Sequence, residues 1–214
     1  MTLTCIMAFC LSMAILTASG EMPATSPLNP VLAGADPHVV LVEDTLLLYP
    51  THYADGQARL YAYASTNLSE WEQHGPVITL DDIGWIKDDG AEVHQLWAPA
   101  VAEKDGRYYI YFSVGPQNPT PSRIGVAVAD GPAGPFVDSG RPLLTGGDGF
   151  EAIDPMVFTD PVSGVSYLYA GGSAGATLRV RLIEQLDPGT YRARLEFNIR
   201  GVRARALSPR IRVA

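Results

Sequence analysis

Cysteine and basic residues are scarce in this sequence, and both shortages narrow what the protein can be. The 214 residues include two cysteines, Cys5 and Cys10, which both lie in an N-terminal apolar run. The rest of the chain therefore has no thiol for a disulfide, a thiolate metal site or a cysteine nucleophile. Residues 1–178 hold only six Lys and Arg against 20 Asp and Glu. Because nucleic-acid-binding domains present a basic face to phosphates, this balance argues against a nucleic-acid partner and favours a sugar or a small neutral or cationic ligand.

Apolar runs long enough to cross a membrane are also missing. The N-terminal run covers residues 5–16, whereas a transmembrane helix needs about 20 residues. Small residues ending at Gly20 follow it, and then the polar Glu21, which is the pattern of a secretory signal peptide. An uncleaved anchor is the alternative, because no Lys or Arg precedes the run. We expect a signal peptide over residues 1–20, a secreted or periplasmic mature chain, and no membrane contact after cleavage.

Glycine and proline are abundant and recur at a regular distance. The 21 Gly and 17 Pro leave no stretch long enough for a helical bundle, which favours an all-β protein of strands and turns. Pro37, Pro99 and Pro155 each open a short apolar strand, and they lie 62 and 56 residues apart. After each comes a turn, an aromatic or aliphatic strand, and a third strand. About four strands in a repeat of this length are typical of a β-propeller, and a β-sandwich is the alternative.

The fourth strand of the repeat is visible in two of the three units. Residues 71–78, with Trp71 expected in the core, close the first unit, and residues 137–144 close the second. After residue 178 the composition changes, because residues 179–214 hold nine Arg against three acidic residues. We therefore expect a partial propeller domain over residues 21–187 and a divergent Arg-rich tail over residues 188–214.

Two carboxylates stand at equivalent positions of the repeat. The residues before the three prolines are Asp36, Ala98 and Asp154. The first strand of each propeller blade lines the central axis, so these positions should converge at one mouth of the channel. Paired carboxylates at a concave site are the equipment for glycoside cleavage, in which one deprotonates water and an acid protonates the leaving oxygen. The alternative is that Asp-Pro marks a turn at the start of a strand.

Trp97 and His38 are neighbours of these positions and are candidates for substrate contact. Trp97 precedes Ala98 and could stack on a sugar face, or it could be buried against a neighbouring blade. His38 is two residues beyond Asp36 and could border the channel, or it could be a structural imidazole. The four histidines lack the spacing of metal ligands, and the acidic run over residues 81–89 is typical of a solvated loop. We expect neither a metal nor a cofactor.

Several motifs, in order along the chain, resemble glycoside hydrolase family 43 over about residues 29–187. The resemblance implies a five-bladed β-propeller that hydrolyses arabinose- or xylose-containing plant polysaccharides with inversion of configuration. At the repeat distance of about 60 residues, the chain after residue 20 holds about three blades. The motifs are Ala35-Asp36-Pro37, residues 64–71, Trp97-Ala98-Pro99-Ala100-Val101, residues 106–112, residues 131–136 and Ile153-Asp154-Pro155.

The resemblance also implies roles for the two carboxylates. Asp36 would be the general base, and Asp154 would orient the substrate and tune the pKa of the acid. The family's acid is a Glu, usually in a Glu-Gly-Pro context, and this motif is absent from the sequence; neither Glu184 nor Glu196 has the context. A non-catalytic carbohydrate-binding propeller is therefore an alternative. A β-fructosidase-like hydrolase is another, but it expects Asn-Asp-Pro where this chain has Ala35 before Asp36.

Overall fold

The computed structural model describes residues 32–52 and 58–172, and beyond them the backbone of the strands in 179–187, 190–199, 202–207 and 211–212. The predicted signal peptide over residues 1–20 lies outside the described residues. Within the described part of the chain, the strands form three antiparallel sheets that follow one another along the sequence.

The first sheet is a four-stranded meander in which each strand pairs with the next. Its strand order is the order of the chain. The strands are β1 (Ala35–Val42), β2 (Thr45–Thr51), β3 (Arg59–Ser65) and β4 (Glu72–Thr79).

The second sheet repeats this arrangement with an interrupted outer strand. Its strands are β5 (Leu96–Lys104), β6 (Arg107–Val114), β7 (Arg123–Ala129), β8 (Val137–Asp138) and β9 (Leu144–Thr145). Both β8 and β9 pair with β7, so the prediction of one continuous strand over residues 137–144 was wrong. Gly140 lies in the left-handed region at a φ of 81°, and Pro142 has no N–H to donate to the ladder. These two residues break the strand while its halves stay beside β7.

The third sheet starts in the same way and continues into the Arg-rich region. Its strands are β10 (Ile153–Thr159), β11 (Ser166–Gly172), β12 (Arg179–Asp187), β13 (Thr190–Ile199), β14 (Val202–Leu207) and β15 (Ile211–Arg212). They pair in chain order up to β14, and β15 returns to β13. Strands β12 and β13 pair on either side of residue 187; the division of domains there stays a prediction.

Apolar cores lie between successive sheets, as in the blades of a propeller. Strand β6 serves both cores because neighbouring side chains point to opposite faces: Ile110 and Phe112 face the first sheet and Tyr111 faces the third. Each large side chain buried in this way contributes about 1.5–3 kcal/mol. The prediction of a propeller-type fold with three blades in this chain is confirmed, and we call the sheets blades one, two and three.

The innermost strands of the three blades lie side by side. Strands β1 and β10 both contact β5, so the inner strand of blade two lies between those of blades one and three. The outer faces of the two end blades keep large apolar side chains in solvent. Leu41 of blade one is 67% exposed and Met156 of blade three is 50% exposed.

A buried ion pair anchors the loop that leads into β5. Asp89 ends a short 3-10 turn (Ile86–Asp89) and accepts a hydrogen bond of 2.7 Å from the Arg123 guanidinium and one of 3.0 Å from His94 Nε2. The Asp89 and Arg123 side chains are only 10% and 5% exposed. Burial acts to raise the pKa of Asp89, but the Ala91 amide, His94 and Arg123 together hold it below its usual value. The prediction of a solvated loop over residues 81–89 was wrong for Asp89.

Gly125 provides a test of how tightly the core of blade two is packed. A Cβ atom there would overlap the Phe112 ring and lie 2.8 Å from Trp85 Cζ2. We expect Gly125→Ala to lower the free energy of unfolding by about 1–3 kcal/mol, the usual cost of overpacking. Urea denaturation measures this, with Gly131→Ala as control because its Cβ would meet nothing within 4 Å. Equal stabilities of the two variants would contradict the packing described.

Candidate active site

Each inner strand begins with the same irregularity, a bulge at a non-glycine residue. Asp36, Ala98 and Asp154 have φ angles of 47°, 44° and 52°, and the pairing register with the second strand of the blade shifts at each of them. Left-handed backbone costs a non-glycine residue about 1–3 kcal/mol and persists only where its surroundings impose it. Bulges re-aim side chains and are common beside active sites. The repeat positions inferred from the prolines are thus structurally equivalent.

The two carboxylates at these bulges are exposed and close enough to influence each other. Both Asp36 and Asp154 are solvent-accessible residues. Partial burial raises the pKa of Asp154, and the negative charge of Asp36 raises it further. The structure therefore brings together the two acidic residues singled out from the sequence. In blade two the equivalent residue is Ala98, which is buried and has no side chain that could take part in proton transfer.

Two hydroxyl groups that could not be identified from the sequence each link one blade to the next at a bulge. We call this contact, made by Thr51 and by Ser113, the hydroxyl clasp. The Thr51 hydroxyl accepts a hydrogen bond of 2.7 Å from the Ala98 amide of the next blade. The Ser113 hydroxyl likewise accepts one of 3.0 Å from the Asp154 amide. Thr51 and Ser113 are fully buried and occupy equivalent positions near the end of the second strand of their blades, where they pair with Ala35 and Trp97. Their equivalent positions in the repeat, opposite Ala35 and Trp97, were the feature of the sequence from which these two residues could have been identified.

The Trp97 ring lies against the backbone of Gly115, at the end of β6. A Cβ atom on Gly115 would lie 2.5 Å from Trp97 Cη2, so only glycine leaves room for this ring position. The Gly115 amide also donates a hydrogen bond of 3.0 Å to the Gln95 carbonyl, which holds the two segments together. Trp97 is half-buried, so part of its surface is open beside the Ala98 bulge. Its contact with a sugar stays a prediction.

His38 connects the inner strands of the first two blades. Its Nε2 lies 2.9 Å from the Val101 carbonyl, and because a carbonyl only accepts, Nε2 carries the proton. Burial lowers the pKa of His38, although the bond to Val101 acts in the opposite direction. The ring is half-buried. The structure therefore assigns His38 an inter-blade contact, and its role in substrate binding stays a prediction.

A buried glutamate fixes the approach of blade three to the site. Glu151, three residues before Asp154, is 5% exposed and accepts a hydrogen bond of 2.7 Å from the Ser122 amide of blade two. A Cβ atom on Gly172 would lie 2.7 Å from the Glu151 carbonyl oxygen. The start of β10 is therefore held between a polar contact to blade two and the close backbone of its own second strand.

Two other features lie outside this site. An open cavity of about 440 Å³ is lined by Thr45, Ser65, Trp71 and neighbouring residues. It lies at the opposite end of blade one from Asp36, and it leaves Trp71 half-buried rather than in the core as predicted.

Across residues 32–52 and 58–172, no three His, Cys, Asp or Glu residues are arranged to hold a metal ion. The same part of the chain has no helix that is long and apolar enough to span a bilayer.

The coupling between the carboxylates predicts the effect of removing one charge. Asp36→Asn should lower the pKa of Asp154, but not to its ordinary value, because burial is the larger cause of the shift. A raised pKa in the folded state favours folding at low pH, and this contribution is lost as Asp154 ionises. The variant should therefore lose less stability as the pH rises from about 4. Carboxyl ¹³C NMR measures the titration; an unchanged Asp154 would show that the two groups do not interact.

Gly115→Ala should displace the Trp97 ring. The added methyl would occupy the position of the indole edge, so the ring must rotate or the β6 end must shift. In protein labelled with 5-fluorotryptophan, we expect the ¹⁹F resonance of Trp97 to move while those of Trp71 and Trp85 stay in place. Gly131→Ala, which has open space at its Cβ, should move none of the three. An unshifted Trp97 resonance in Gly115→Ala would contradict the ring position.

Most of the chain resembles known proteins of one family. The family model described as glycosyl hydrolases family 43 matches residues 27–192. The chain is 34% identical over 169 residues to the xylosidase/arabinosidase 43A of Humicola insolens, covering 72% of this chain and 48% of that protein. It is 35% identical over 159 residues to a xylosidase/arabinosidase of Bacteroides ovatus, covering 68% of this chain and 45% of that protein. The chain thus spans about half the length of these relatives.

A solved structure supports the fold. The structure resembles that of a GH43_1 enzyme from Xanthomonas citri, solved in complex with xylose, with a TM-score of 0.56 and 23% sequence identity. The likeness covers 80% of this chain and 68% of that one. Because the family model matches residues 27–192 and both relatives are more than 30% identical over more than two thirds of this chain, the chain belongs to glycosyl hydrolase family 43.

Proposed function

We propose that this chain hydrolyses glycosidic bonds in arabinose- or xylose-containing saccharides with inversion of configuration, with Asp36 as general base and Asp154 as the carboxylate that tunes the site. The observation that carries the proposal is the placement of both acidic residues on equivalent left-handed bulges, where the charge of Asp36 raises the pKa of Asp154. The relatives named xylosidase/arabinosidase and the family member solved with xylose support the choice of pentose substrates. Substrates of this kind are polymers outside the cell, which agrees with an export signal over residues 1–20.

In this proposal Asp36 acts on water rather than on the sugar. Its ionised carboxylate takes a proton from a water molecule as the water oxygen attacks the anomeric carbon from the side opposite the leaving group. The bond between the anomeric carbon and the leaving oxygen breaks in the same step, and that oxygen must receive a proton from an acid or leave as an anion. One displacement inverts the configuration of the anomeric carbon. Asp154 adds negative charge to the site when ionised, which favours the protonated form of a neighbouring acid.

Substrate contact would come from groups that flank the carboxylates. The open part of the Trp97 ring, held against Gly115, is suited to stacking on the apolar face of a pentose. His38 borders the same inner strands, and its Nε2 is engaged with Val101, so Nδ1 is the atom that would face a sugar hydroxyl. Both side chains are half-buried, so each keeps part of its surface accessible to a sugar.

The proton for the leaving group has no obvious source in this sequence, which contains no Glu-Gly-Pro. A missing general acid costs about 10²–10⁴-fold on its step. Aryl glycosides whose leaving group departs as a stable anion escape this cost, whereas a sugar leaving group does not. We therefore propose that the chain's rate depends steeply on the pKa of the leaving group.

A leaving-group series tests the proposal directly. The purified chain should turn over 2,4-dinitrophenyl xylosides or arabinofuranosides at least 100-fold faster than the corresponding oligosaccharides, and NMR should show inverted sugar as the first product. Asp36→Asn should abolish both reactions. Asp160→Asn is the matched control, since Asp160 also precedes a proline but stays within its own turn through Val162 and Ser163, and it should keep full activity.

Two results would contradict the proposal. Equal rates on aryl glycosides and oligosaccharides would show that a general acid is present. Binding of xylo- or arabino-oligosaccharides without turnover of any substrate would show a carbohydrate-binding protein instead of an enzyme.

A further inference from the structure

The Thr51 hydroxyl lies between the Asp36 carboxylate and the backbone of the next blade. Thr51 Oγ1 is 2.9 Å from Asp36 Oδ2 and 2.7 Å from the Ala98 amide nitrogen. The residue is fully buried although Asp36 itself is exposed. One buried hydroxyl therefore joins the acidic residue of blade one to the bulge of blade two.

The chemistry of the three groups determines the direction of both hydrogen bonds. A backbone N–H only donates, so the bond from Ala98 occupies a lone pair of Thr51 Oγ1. The single hydroxyl proton is then left for Asp36 Oδ2, and a bond to an ionised carboxylate is about twice as strong as one between neutral groups. Because Thr51 is shielded from water, solvent does not compete for these bonds. Its β-branched side chain also restricts rotation about χ1.

We propose that Thr51 is the positioning residue for Asp36, holding Oδ2 so that Oδ1 is the oxygen that receives the proton of the attacking water. This role rests on the proposed function, since it takes Asp36 to be the base. A general base must lie within hydrogen-bond reach of the proton that it abstracts, and a displacement of about 1 Å can cost about 100-fold in rate. Through Thr51, the position of the Asp36 carboxylate therefore depends on how blade two packs against blade one.

Comparison with Ser113, the equivalent residue of blade two, shows that the hydrogen bond from Thr51 to Asp36 is additional to the hydroxyl clasp. Ser113 accepts a hydrogen bond from the Asp154 amide, as Thr51 does from Ala98, but the residue at the bulge of its own blade is Ala98, which has no carboxylate. The amide bond is therefore the shared structural feature of both hydroxyls. The hydrogen bond from the hydroxyl to a carboxylate is made by Thr51, in the blade that carries the proposed base.

The test compares variants that remove the hydroxyl with one that keeps it. Thr51→Val and the smaller Thr51→Ala should lower kcat on the aryl glycoside by about 10–100-fold with KM changed by less than about twofold. Thr51→Ser should restore kcat to within about threefold of the parent chain.

Tyr49→Phe is the matched control for a purely structural loss. The Tyr49 hydroxyl donates a buried inter-blade hydrogen bond of 2.6 Å to the Pro132 carbonyl and makes no contact with either carboxylate. It should lower the thermal midpoint about as much as Thr51→Val while leaving kcat unchanged. An equal loss of kcat in Tyr49→Phe, or full activity in Thr51→Val and Thr51→Ala, would overturn the positioning role.

A crystallographic comparison separates this proposal from the assignment of enzymatic activity. In Thr51→Val or Thr51→Ala the Asp36 side chain should occupy more than one rotamer, whereas in Thr51→Ser and Tyr49→Phe it should keep one. A single Asp36 rotamer in the variants without a hydroxyl would overturn the positioning role whether or not the chain turns over a substrate. Absence of turnover in the parent chain together with a disordered Asp36 in Thr51→Val would refute the proposed hydrolase activity while still showing that Thr51 holds the Asp36 side chain in place.

Discussion

The left-handed bulge at the start of each inner strand is the constraint on which the rest of the site depends. It places a non-glycine residue in unfavourable backbone three times, at Asp36, Ala98 and Asp154. The following proline cannot donate to the ladder, so the strand resumes regular pairing only beyond it. Where the bulge residue is an aspartate, it is exposed to solvent at the start of the inner strand, whereas Ala98 is buried. The unfavourable backbone conformation is therefore what determines where the carboxylates of Asp36 and Asp154 lie.

Polar contacts between blades determine the relative orientation of the sheets, which the apolar cores leave undetermined. Burial of side chains such as Phe112 and Leu168 is non-directional and favours close packing of the sheets at many relative angles. Hydrogen bonds have narrow geometry, so the bonds from His38 to Val101 and from Ala98 to Thr51 select one arrangement. Their net energies are modest, about 0.5–1.5 kcal/mol each. Their contribution is orientation, which the position of a catalytic carboxylate requires.

Much of this architecture could be predicted from spacing alone. The distances between Pro37, Pro99 and Pro155 identified the repeat, and the repeat identified Asp36 and Asp154 as equivalent, because blades reuse one backbone plan. Contacts between repeats were not predictable in the same way. Thr51 is an ordinary strand residue in sequence, and its importance follows from which hydrogen-bond donor the next blade presents to it. Asp89 reads as one of several loop acids until the fold brings Arg123 and His94 against it.

The hydroxyl clasp has a direction along the chain. In both cases a side chain of one blade holds the backbone of the blade that follows, and the equivalent residue of blade three, which pairs with Ile153, is Gly171. Glycine has no side chain with which to pass the contact on. Within the described residues the clasp therefore joins blade one to blade two and blade two to blade three. Because a hydrogen bond constrains both of its partners, a substitution in blade two that moves the Ala98 amide disturbs Thr51 and with it Asp36, just as a substitution at Thr51 disturbs the bulge of blade two.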